Sequence, residues 1–189
     1  MKKLLLIPAL LLFFFPVFAN AQIEEQATAC ISENGSNTAG LEACLSKLFV
    51  PASMDCDELL TVHRTIIKAA EGRNNATIRA VSRVSGKLAI VSLSANCYSP
   101  DVAARLVARA GSEASGGSSI VADGIVSGAV DAAGALGVDS GSLANSASSA
   151  GGGDGSSGGD QGGPSSADTG NVDIYFDGEV NVSPNARNR

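Results

Sequence analysis

Through residues 22–110, apolar side chains return every three or four positions, the spacing of one helix face rather than the alternation of a strand. Ahead of that periodicity, Leu4 to Phe18 form an apolar stretch behind Lys2 and Lys3, and Ala19-Asn20-Ala21 follows it. A positive start, an apolar centre and small residues at the end make an export signal, so residues 1–21 are expected to be removed by cleavage before Gln22. The stretch is about 15 residues, short of the roughly 20 that a membrane-spanning helix needs, and Pro8 and Pro16 interrupt it. No cysteine stands at the cleavage point to carry a lipid. No transmembrane anchor is therefore expected once the signal is cleaved.

Ile23 to Asn34 predicts a first helix ended by Gly35, which tolerates the left-handed conformation of a helix terminus. Asn37 caps a second helix from about Thr38 to Phe49, with Leu41, Leu45 and Leu48 on one face and Pro51 past its end. Asp55 and Glu58 have the spacing of a capping box, and the third helix they open carries Leu59, Val62, Ile66 and Ala70 and stops at Gly72. From Asn75 onward, Ile78, Val81, Val84, Leu88, Val91 and Ala95 predict one long helix; a break at Gly86 followed by a short strand is the alternative. Ser99 as cap and Pro100 at the first helical position open a last helix through Val102, Leu106 and Val107, expected to stop at Gly111. Asp101 and Arg105, four apart, add a surface pair worth roughly 0.3 kcal/mol.

The chain changes character at Gly111. Residues 22–110 carry nine acids and nine Lys or Arg, whereas residues 111–186 carry ten acids and no Lys or Arg. About half of residues 111–170 are Gly or Ser, a composition with high backbone entropy and little apolar surface to offset it, so this stretch reads as a flexible acidic linker. Ile120 to Leu143 is richer in Ile, Val, Leu and Ala and reads as a marginal helix or disorder. Gly124 and Gly128 have the spacing of close-packed membrane helices, but Asp123 and Asp131 argue against a membrane segment. At the end, Val172, Ile174 and Phe176 alternate with polar residues, Asp177-Gly178 is a two-residue turn, and Val180 and Val182 resume the alternation. Residues 171–189 thus predict a β-hairpin, which needs a docking partner because a lone hairpin is marginal in water. The expected fold class is mainly α: a small disulfide-stapled helical bundle at 22–110, a disordered Gly/Ser-rich tail at 111–170, and a short C-terminal hairpin.

Four cysteines, all beyond the signal, suit a small exported domain whose Trp-free core needs covalent support. Cys30 and Cys44 are symmetric about residue 37, where the first helical hairpin turns; Cys56 and Cys97 are symmetric about residues 76 and 77, beside the second turn. Antiparallel helices bring each pair level, which predicts Cys30 with Cys44 and Cys56 with Cys97. A metal or redox role lacks its spacing, since there is no Cys-x-x-Cys and only one histidine. No cofactor and no metal site is expected.

His63 is the sole ordinary general base near neutral pH, but no Gly-x-Ser-x-Gly elbow accompanies it and its place beside Leu59 and Ile66 suits a structural histidine. Arg79, Arg83 and Lys87 recur every four residues where no acid intervenes from Asn74 to Cys97. Such a stripe is a solvated face, a site for an anionic polymer or lipid headgroup, or a dock for the protein's own acidic tail. Asp123, Asp131 and Asp139 recur every eight residues without the ligand density of a calcium loop. Asn34-Gly35-Ser36 and Asn75-Ala76-Thr77 match the glycosylation acceptor pattern, and no role is assigned to them.

Loss of Lys2 and Lys3 with the signal lowers the formal charge from −6 to −8, which disfavours nucleic acid as a partner. The expectation is a non-enzymatic, secreted or periplasmic interaction or structural module. Its partner would be an envelope or extracellular protein, or a sister molecule bound through the C-terminal hairpin. The alternatives are a small hydrolase using His63 and a binder of anionic envelope polymer through Arg79, Arg83 and Lys87.

Overall fold

The computed structural model describes residues 15–50 and 52–151, with side chains from residue 21 on. The expected hairpin and residues 152–170 of the expected linker lie outside the described residues. Helix α1 spans Phe15–Asn34, α2 Thr38–Leu45, α3 Cys56–Ala69, α4 Asn75–Asn96, α5 Pro100–Ala114, α6 Ser119–Leu136 and α7 Ser140–Ala150. The described residues contain no strand, and one continuous core of buried apolar side chains joins all seven helices.

Local signals set most helix starts. The Asn37 side chain accepts the Gly40 N–H at 3.3 Å, and Asn74 accepts the Thr77 N–H at 2.9 Å. Asp55 and Glu58 close their capping box with two bonds of 2.8 Å, satisfying donors that the first turn leaves without intrahelical partners. Pro100 stands at the start of α5 as expected, although Ser99 makes no side-chain cap bond. The second helix ends earlier than its leucine spacing suggested: at Ser46 it tightens into a 3₁₀ turn, Ser46–Leu48, which still buries Leu48. Asp101 turns toward α7, accepting bonds from Ser142 at 3.2 Å and Ser146 at 3.3 Å.

Helix α4 is the hub, packing against α2, α3, α5 and α6. It stays helical through Gly86, so the alternative of a break and a strand falls away. Leu59, Ile66, Ile90 and Leu93 are fully enclosed, each worth roughly 1.5–3 kcal/mol of apolar burial. Both disulfides pair as the hairpin symmetry predicted, with Cα separations of 5.7 Å for Cys30–Cys44 and 6.1 Å for Cys56–Cys97. On a chain-entropy account they contribute roughly 3 and 4 kcal/mol.

The structure corrects the boundary at Gly111. Helix α5 runs on to Ala114, and residues 119–150 form α6 and α7 inside the bundle rather than a flexible linker. Gly111 is buried mid-helix because a Cβ there would collide with Ile125 Cδ1 and lie 3.2 Å from His63 Nε2. The chain reverses instead at Gly116 and Gly117, whose φ values are +62° and +82°. Poor intrinsic helix propensity in α6 is overridden by tertiary packing, from which most helical stability in proteins comes. A Cβ on Gly124 would lie 2.8 Å from the Arg79 carbonyl oxygen, one on Gly128 would strike the Arg83 carbonyl, and one on Gly86 would lie 3.3 Å from Ile125 Cα. The two backbones therefore touch directly. By length and composition α6 qualifies as a membrane span, but here its glycine face lies against α4.

This close approach sets opposite outcomes for two glycines of one helix. Gly128→Val drives side-chain carbons into the α4 backbone and should lower unfolding free energy by about 2–4 kcal/mol. Gly134→Ala, which meets nothing within 4 Å, should raise it by about 0.5–1 kcal/mol through helix propensity. Denaturant midpoints of the two variants measure both effects, and equal shifts would contradict the α4–α6 contact.

Candidate functional site

Two groups singled out by sequence, the cationic stripe and the lone histidine, both lie on elements that pack against α4 or belong to it. Four-residue spacing places Arg79, Arg83 and Lys87 along one side of α4, as expected, but they do not act together. Arg83 grips Asp131 of α6 with two bonds, Nε to Oδ2 at 2.6 Å and Nη2 to Oδ1 at 2.9 Å. Arg79 Nη2 reaches Asp123 Oδ2 at 3.5 Å, while Lys87 Nζ turns to Glu42 Oε1 of α2 at 2.6 Å. The bond to Asp131 holds the Arg83 guanidinium above its ordinary pKa. The side chains of these arginines keep 60% and 46% of their surface exposed, so each ion pair is worth about 0–1 kcal/mol and acts mainly on register. A second cluster joins α3 to α5: Glu113 takes a 2.9 Å bond from Arg109 and a 3.3 Å bond from Arg64, and these donors pull its carboxyl below the usual range.

His63 is fully enclosed, as is Ser85 of α4, and its Nδ1 lies 2.8 Å from Ser85 Oγ. On the other side the ring faces Gly111 of α5, whose missing side chain leaves it room. Nε2 has no partner at hydrogen-bond geometry. Burial pushes the imidazole pKa down to about 4, against the Val107 backbone, which favours the charged ring; Arg64 lowers it further and the Ser85 backbone raises it. A neutral imidazole of that kind has the pKa range of a weak base, and its ring is fully enclosed. A half-open pocket of about 200 Å³ lies elsewhere among the described residues, lined by Ile67, Ala70, Gly72, Ile78 and Val121 with Glu71, Ser115 and Ser118. Among the described residues no three His, Cys, Asp or Glu side chains are placed to hold a metal ion.

Sequence reasoning missed Ser85, the packing role of Gly111 and the Glu42 partner of Lys87, whereas the dock for the protein's own acidic segment, one of the expected uses of the stripe, matches Asp123 and Asp131 meeting Arg79 and Arg83. The eight-residue recurrence of Asp123 and Asp131 is visible in the sequence, but its meaning depends on α6 running alongside α4, where the two carboxylates, about two turns apart, reach Arg79 and Arg83, about one turn apart. Taken together, the described residues define a disulfide-stapled bundle of small helices. The chain matches no family model, no curated protein and no solved structure in the comparisons made with each.

The histidine generates a pH prediction. Its folded pKa, about 4, is below its unfolded value of 6.5, so the unfolded chain takes up the proton first. The stability that neutral His63 provides is complete above pH 6.5 and is lost progressively down to pH 4, by about 3 kcal/mol. Urea unfolding of the wild type and of His63→Leu at pH 7, 5.5 and 4 checks this. The stability difference between the two should shift by that amount in favour of the variant, and a pH-independent difference would contradict it.

Proposed function

We propose that the protein is an exported, non-catalytic interaction or structural module of the cell envelope or extracellular space. In this reading the stapled helical head presents a C-terminal segment that binds a partner. The observation that carries the reading is the use of chemistry-bearing side chains for internal contacts. His63 is sealed against Ser85, the four cysteines are spent on two disulfides, and Arg79, Arg83 and Lys87 already face Asp123, Asp131 and Glu42.

The disulfides are compatible with an oxidising extracellular or periplasmic location. A hydrolase reading needs solvent access at His63, and a polymer-binding reading needs cations whose counterions are mobile; neither gains support from these contacts. What remains directed at a partner is the alternating sequence Val172 to Val182, suited to adding strands to a sheet edge, where main-chain bonds give affinity and alternate side chains give selectivity.

Crosslinking in the native envelope tests the reading by comparing the full chain with one lacking residues 171–189. The expected result is a discrete partner lost on truncation, with the fold intact. Identical crosslinks from both chains would overturn the docking role. Activity or a phenotype lost in His63→Gln, with the fold retained, would overturn the non-catalytic one.

A further inference from the structure

Helices α6 and α7 are held to the molecule differently from the others. Both disulfides close within residues 30–97, so residues 119–150 have no crosslink to the rest. The chain joins them to α5 through the connection Ser115–Ser118, in which Gly116 and Gly117 take positive φ and have open space around them. The pair also carries its own turn: Gly137 ends α6 with φ +68°, and Asp139 caps α7 through the Ser142 N–H at 2.7 Å. The surface it covers is segregated by charge. The cations Arg79 and Arg83 lie on α4, the carboxylates Asp123 and Asp131 lie on α6, and the arm has no Lys or Arg of its own. Between the charges, Gly124 and Gly128 fit the α4 backbone so closely that little but this arm can occupy the site.

We propose that α6–α7 is an exchangeable arm and that the partner of the α4 surface is a second copy of this chain, each arm lying on the other copy's α4. Every contact of the closed form is reproduced in the exchanged pair, and only Ser115–Ser118 changes conformation. A connection this short keeps the arm at an effective concentration in about the mM range, so the closed chain prevails in dilute solution. Exchange prevails where the protein is concentrated or the closed form is penalised. Residues 171–189 play no part, so this inference stands apart from the docking role proposed for them.

Charge reversal across the surface tests it with full-length chains. One variant carries Arg79→Asp and Arg83→Asp; the other carries Asp123→Arg and Asp131→Arg. Each alone sets like charges face to face, and only reciprocal exchange between the two restores both pairs in both copies. Each restored pair should favour the mixed dimer on the order of tenfold over the repelled closed form. Mixing should give a 1:1 heterodimer by native mass spectrometry, and all four reversals in one chain should restore the monomer. A mixture that stays monomeric overturns the proposal. A second variant, lacking Gly116 and Gly117, removes the reversal the closed form needs and should be a dimer whose arm amides resist hydrogen exchange. A monomer, or a dimer with unprotected arms, overturns the proposal whether or not the reversed chains fold.

Discussion

Packed helices are ordinarily held 8–10 Å apart by the side chains between them. Between α4 and α6 that spacer is absent, because Gly86 on one side and Gly124 and Gly128 on the other leave backbone against backbone. The consequences pass from residue to residue. With the helices this close, Ile125 is wedged between Gly86 and Gly111; with Ile125 there, position 111 has no room for a Cβ. The same bare stretch of α5 leaves space for the His63 ring, which is thereby pressed onto Ser85. A single steric requirement in α6 thus fixes contacts on α3, α4 and α5.

The two ends of the bundle solve the problem of a small core by different means. From α1 to α4 the enclosed residues are mostly large, Ile31, Leu41, Leu45, Leu59, Ile66, Ile67, Ile90 and Leu93, and covalent bonds hold the helix pairs. From α5 onward the buried side chains are mostly alanine, as at Ala103, Ala104, Ala108, Ala129, Ala132 and Ala133. Alanine buries little area but loses no rotamer freedom on folding, and its size lets helices approach until dispersion contacts accumulate. Low aromatic content is in keeping with this construction: a Phe or Trp in place of any of these residues would push apart the helices whose proximity provides the binding.

What was legible in sequence was what depends on near neighbours. The capping box at Asp55 and Glu58, the proline opening α5 and both cysteine pairings follow from spacing along a helix or about a turn. Gly111 was misread because glycine has two uses with one sequence signature, freedom at positive φ and the absence of a Cβ; only the presence of Ile125 distinguishes them. The segment after it has the composition of a linker, and composition records low helix propensity but not the surface waiting to receive a thin helix. Gly124 and Gly128 carry that information, in a spacing that brings helices close in this bundle as it does in a membrane. The four-residue step of Arg79, Arg83 and Lys87 was equally plain, whereas their partners lie 44, 48 and 45 residues away in sequence.

Charge segregation along the chain acquires a local meaning from these pairs. A cationic face opposite a cation-free helix gives two surfaces that recognise each other by sign before they fit by shape, since steering acts over longer range than packing. The ion pairs are too exposed to supply much stability, so their weight falls on register: moving α6 by one turn would place Arg83 opposite Ser127 or Ala135, neither a carboxylate, and bring the side chain of Ile120 or Ala132 onto one of the two α4 backbone sites that Gly124 and Gly128 fill. Charge and bulk reject the same errors. That agreement explains how a glycine-rich helix, weak by propensity, occupies one position in the bundle, with Arg79 and Arg83 as its receiving face on α4.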